Sequence, residues 1–121
     1  MPTPVLVALG GALGALARWG IGVGMVRWLG PGVPWGTWVA NVAGCFLIGV
    51  ALPLLHETHP QRALAVVGFL GAFTTFSTYT AETLLLWESG ETALALVNAA
   101  GSVVVGLVAC GLGLWVGRGL A

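Results

Sequence analysis

"ALAVVGFLGAFTTFSTYTAE", residues 63–82, carries no charge before its final Glu82. A helix rising about 1.5 Å per residue crosses the hydrocarbon core of a bilayer in roughly 20 apolar residues. The stretch therefore reads as a membrane-spanning helix. Its second half is unusual for one. Thr74, Thr75, Ser77, Thr78 and Thr80 carry hydroxyls, and Tyr79 adds a phenol. Lipid offers such groups no hydrogen-bond partner, so the protein or a water-filled pathway must supply one.

The rest of the chain agrees with lipid as the solvent. Of 121 residues, 58% are hydrophobic and 7% charged. The mean hydropathy is +1.00. A soluble domain carries about 25% charged residues. Charge-poor stretches run from Pro2 to Val26, Gly36 to Leu55, Ala63 to Trp87 and Thr92 to Gly117. Each is long enough to cross once. The connectors "RWLGPGVPWG", "HETHPQR" and "ESGE" hold turn and breaker residues. The expected architecture is an all-α membrane protein: one domain over residues 1–121, four transmembrane helices and both termini on one side. The start, Met1-Pro2-Thr3-Pro4, has no basic residues and does not read as a cleaved signal peptide. Zero net charge and the lack of a basic tail argue against nucleic acid. No phosphate loop, zinc spacing or catalytic triad appears, so neither enzyme activity nor ATP-driven transport by this chain alone is expected. Cys45 and Cys110 lie deep in apolar runs and read as packing residues.

Four helices barely enclose a pore, so self-association is the default. Gly10 with Gly14, Gly20 with Gly24, and Gly113 with Gly117 are spaced for close helix approach, within one subunit or between two. The arginines bear on orientation. Arg62 and Arg118 fall on one side of the membrane and Arg27 on the other, and lysine is absent. Basic loops normally face the cytoplasm. With this bias nearly absent, the chain is expected to insert both ways and pair as an antiparallel dual-topology homodimer.

Intramembrane polar groups are costly and mark pathways by default. Thr37, Asn41 and Cys45 follow at i, i+4 and i+8 on one helical face, as do Asn98 and Ser102. On a helix Phe76 and Tyr79 share a face, and Thr75, Thr78 and Glu82 an adjacent one. The plainer alternative is structural: Ser and Thr bond back to i−4 carbonyls, and Asn joins helices. The Thr-Thr and Ser-Thr pairs after Gly68 and Gly71 are weak helix formers. They suggest a third helix broken there, whose freed carbonyls would form a cation site. Amide and hydroxyl donors with little negative charge suit an anion, and an aromatic ring offers a positive edge. Arg18 would add attraction from a vestibule, or else cap a carbonyl. Glu82, one turn beyond the cluster, is expected near a pore mouth.

"GFLGAFTTFSTYTAE" (68–82) resembles the third-helix signature of the Fluc (CrcB-type) fluoride channels, G-x-x-G-x-x-T-T-F-S-T-F with a Glu shortly after. "GGALGALARW" (10–19) is similar to their first-helix G-G-x-x-G-A-x-x-R motif. "GTWVANVAGCFLIG" (36–49) is similar to their second-helix G-T-x-x-x-N-x-x-G-x-F-x-x-G motif. The fourth span matches only in small and polar spacing. The resemblance implies a fluoride channel of a prokaryotic plasma membrane, an antiparallel dimer with two pores along the subunit interface. It implies a central structural Na+ held by main-chain carbonyls of Gly71 and Thr74 from both copies. It implies that Asn41 donates to fluoride and that Phe76 and Tyr79 line the pores. Thr37, Ser77, Thr78, Ser102 and Asn98 would extend the polar track. The family has Phe where this chain has Tyr79. Two rival readings fit the same architecture. A small multidrug-resistance-type proton-coupled antiporter needs a carboxylate in the first span, which here holds Arg18 and no acid. A non-conducting assembly factor would not need donors aligned on three helices.

Overall fold

The computed structural model describes residues 1–121 and is entirely helical. Four stretches are long and apolar enough to cross a membrane: Thr3–Leu29, Trp35–Leu54, Pro60–Glu88 and Thr92–Leu120. They are the first to fourth spans below. Pro34 and Pro60 lie at helix starts, where a missing N–H costs nothing. Gly30 and Gly90 end the first and third spans at φ 81° and 86°, angles that side-chain-bearing residues avoid. At the other end of the bundle, the Arg62 guanidinium donates to the Leu55 carbonyl and closes the second span.

Only 13 of the 121 residues are buried, so most of the apolar mass faces outward. Trp28, Leu107 and Trp115 are each at least 70% exposed, a surface suited to lipid and not to water. The buried core is small. Ala40, Leu70 and Phe73 form it, with Phe69 stacked on Phe73 at 5.4 Å between ring centres.

Two tight pairings build the bundle. The first span lies against the opening half of the third, and the second lies against the fourth. Glycines make both possible. A side chain at Gly10 or Gly14 would strike the backbone of Leu64 or Phe69, and one at Gly113 would strike the Phe46 carbonyl. Gly117 is likewise closed off by Val50 and Pro53. Without a hydrophobic force between helices in lipid, such backbone contact is what holds them together. The Gly10–Gly14 and Gly113–Gly117 spacings therefore serve packing within one chain. Gly20 and Gly24 meet nothing within 4 Å.

Two segments, Ala63–Leu70 and Val97–Gly101, are wound in the wider π manner. The third span bends after Phe73. Thr74 (φ −91°, ψ 156°) and Thr75 (φ −150°, ψ 120°) are extended, and helix resumes at Phe76.

Candidate functional site

An extended pair inside an apolar span disrupts the i→i−4 ladder, and each orphaned group must be answered locally. The Thr75 N–H, which a continuous helix would give to the Gly71 carbonyl, goes to Asn41 Oδ1 at 2.7 Å. Asn41 Nδ2 in turn donates to the Thr75 carbonyl at 3.0 Å. The Thr78 N–H, which would serve Thr74, goes to Thr75 Oγ1 at 3.2 Å. Thr75 is thus the N-cap of the closing half, a role that suits a hydroxyl residue. The Ala72 carbonyl takes Arg18 Nε at 3.0 Å. The helical donors of Gly71 and Thr74 are diverted, and their carbonyls are released from the ladder.

The family resemblance has Asn41 donate to fluoride. Its carbonyl and one amide hydrogen hold the Thr75 backbone, and one amide hydrogen remains beyond that pair. Arg18 lies where its carbonyl-capping alternative had it.

A groove of about 410 Å³ opens beside the bend. Asn41, Gly71, Thr74, Phe76, Tyr79 and Ser102 all line it, together with Cys45 and Thr75. Residues of the second-span and third-span motifs thus converge on one surface with Ser102 of the fourth span. Phe76 is 79% exposed and stands out from the chain beside Tyr79, with ring centres 5.7 Å apart. A second cleft of about 630 Å³ runs between the first two spans and is lined by Arg18, Arg27, Trp19 and Thr37. Two guanidinium groups give it a positive character. Thr37 stands one helical turn from Asn41 and donates to Glu82 Oε1 at 2.9 Å. The other Glu82 oxygen is buried with no partner.

The remaining candidates sit apart from both linings. Ser77 is exposed, with its hydroxyl 3.4 Å from Thr75 Oγ1. Thr78 is tied to Thr75 through both its N–H and its hydroxyl. Asn98 is buried and donates to Thr83 Oγ1 at 2.8 Å. Three hydroxyls follow the plainer alternative and bond back four residues: Thr74 to Leu70, Thr80 to Phe76 and Thr83 to Tyr79. Thr83 was not among the candidates. The signal that could have found it is its i+4 spacing from Tyr79 on a span facing Asn98.

Comparison with known proteins agrees with this construction. The family model described as CrcB-like protein, Camphor Resistance (CrcB), matches residues 5–114. A protein of Paracoccus denitrificans named fluoride-specific ion channel FluC is 48% identical over 116 residues, covering 94% of this chain and 93% of the relative. Proteins of the same name from Acidobacterium capsulatum and Thermus thermophilus are 47% identical over 116 residues and 46% over 119. These alignments cover 93% and 96% of this chain, and 93% and 94% of the relatives. Four membrane-spanning helices and bacterial relatives make this a multi-pass protein of a prokaryotic plasma membrane. With nearly its whole length matched by the family model and by these relatives, the chain belongs to the CrcB-like, Fluc-type family.

Proposed function

We propose that the protein is a fluoride-selective passive channel that lets fluoride leave the cytoplasm. The observation that carries this is the groove at the bend. On a surface otherwise built for lipid, it gathers the spare amide N–H of Asn41, the Ser102 hydroxyl and two aromatic rings, while the Thr74, Thr75 and Tyr79 hydroxyls donate within the chain. Fluoride is small and strongly hydrated, so several close donors must replace its water at once. A ring edge attracts an anion without holding it tightly, and conduction needs both binding and release. The names of the bacterial relatives support the choice of ion. Proton-coupled drug antiport is not favoured, because the first span holds no carboxylate.

The groove is open along one side, and Phe76 projects from it. In the proposed assembly a second copy, inserted in the opposite sense, closes the groove and gives two pores at an antiparallel interface. Asn41, Phe76, Tyr79 and Ser102 line each pore. Thr37, Ser77, Thr78 and Asn98 continue the polar track, and Arg18 and Glu82 flank its vestibule.

The proposal extends to a structural Na+ at the centre of the dimer. The residues present fit one: the carbonyls of Gly71 and Thr74 have lost their helical donors to Asn41 and Thr75. When bound, the ion would supply positive charge and cross-link two chains through main-chain oxygens. Arg18 does the corresponding work at Ala72 with its own charge.

Efflux from liposomes holding the purified protein tests the function. Fluoride is expected to leave while chloride is retained. Equal passage of chloride, or exchange of organic cations for protons alone, would overturn it.

A further inference from the structure

Tyr79 is the only tyrosine in the chain. Its hydroxyl donates to the Ala99 carbonyl at 2.6 Å. Ala99 lies within the π-wound segment Val97–Gly101 of the fourth span. A carbonyl oxygen has two lone pairs, so Ala99 can accept the phenol in addition to a helical N–H. Next to Ala99, Asn98 Nδ2 donates to Thr83 Oγ1 at 2.8 Å, and Thr83 Oγ1 donates to the Tyr79 carbonyl at 2.7 Å. The connections close a ring. It leaves Tyr79 by the phenol, reaches Ala99, passes through Asn98 and Thr83, and returns to Tyr79 by its own carbonyl. Asn98 is 8% exposed, so its bond is shielded and its loss would leave a polar group unmatched inside the bundle.

The ring joins the closing half of the third span to the widened turn of the fourth. It also fixes which part of Tyr79 is offered to the groove. A phenol spent on Ala99 is not a donor toward an ion, and the ring that lines the groove is held at both its backbone and its tip.

We infer that Thr83 and Asn98 are positioning residues which, through this latch, set the orientation of the Tyr79 ring, and that the Tyr79 hydroxyl is an anchor. The consequence for conduction rests on the groove being the anion path. The latch itself does not depend on it.

The single tyrosine makes the test clean. In ultraviolet resonance Raman spectra of the protein in lipid vesicles, the tyrosine doublet reports whether the phenol donates or accepts. The parent should show a strong donor. Thr83→Val should shift the doublet toward a weakly bonded phenol and lower fluoride efflux about five-fold, the effect of one lost hydrogen bond. Thr83→Ser should restore both. A parent spectrum without a donating phenol overturns the latch with no variant needed. So does a Thr83→Val doublet identical to the parent's. If the parent has a donating phenol that responds to Thr83→Val but passes no fluoride, the channel function fails and the latch stands.

Discussion

Asn41 and Thr75, 34 positions apart in sequence, exchange two hydrogen bonds as closely as neighbouring strands do, with Oδ1 at 2.7 Å from the Thr75 nitrogen and Nδ2 at 3.0 Å from its carbonyl. One side chain thereby replaces both bonds that the bend removes from Thr75. Asn41→Asp keeps size and acceptor but loses the donor, and it turns a carboxylate toward the Thr75 carbonyl. Fluoride efflux should fall about tenfold, or about 1.4 kcal/mol in the affected step, within the ~1–3 kcal/mol cost of an unmatched buried group. Assembly, read by size-exclusion chromatography, should persist. A variant that conducts like the parent would remove Asn41 from the pathway.

Phe76 is exposed on this chain, so its substitution disturbs little within it. Phe76→Ile keeps bulk and apolar character and removes the ring edge. The variant should assemble normally and lose most fluoride flux, measured with a fluoride electrode. Parent-like conduction would show that the aromatic edge is not used.

Glycine contacts give a sharper contrast. Gly14 abuts the Phe69 backbone, whereas Gly20 faces open space. Gly14→Ala should lower the thermal midpoint in detergent, since overpacking costs about 1–3 kcal/mol. Gly20→Ala should leave the single chain's packing untouched. Equal effects would mean that the first span does not lie on the third as described.

Dual insertion can be read directly from the Ser89–Glu91 turn. A cysteine at the exposed Glu91, in a chain with Cys45 and Cys110 replaced, should react with impermeant reagent in about half the copies in intact cells and in the rest only after permeabilisation. Labelling from one face only would exclude an antiparallel pair.

A structural Na+ should raise thermal stability in a saturable way when it replaces a bulky organic cation, since a ligand bound to the folded state alone stabilises by mass action. Fluoride flux should not follow an imposed sodium gradient. Flux that reverses with that gradient would make the ion a transported species.

The spans were legible because charge and proline punctuate the chain every 20–30 residues. The groove was legible in part. Asn41, Phe76, Tyr79 and Ser102 stood out as polar or aromatic groups in lipid, and they do converge. What each hydroxyl does was not legible. Thr74, Thr80 and Thr83 bond back within their own helix while Thr37 crosses to Glu82, a choice made by rotamer and neighbour and not by residue type. Asn98 read as part of the polar track, and its bond to Thr83 is revealed only by the pairing of the third and fourth spans. The residual role of Gly20 and Gly24 is equally a matter of what lies across from them.

The bend at Thr74–Thr75 also bears on how the chain is made. Its supports, Arg18 and Asn41, both come from spans that precede it in sequence. As translation proceeds from the N-terminus, both are in place when residues 63–82 leave the ribosome. Synthesised alone, that segment would have no outside partner for the Thr75 peptide and would minimise its cost in lipid by winding straight through. The two earlier hairpin arms therefore act as a template for the third, and a truncation that removes them should yield an inserted but unbent helix.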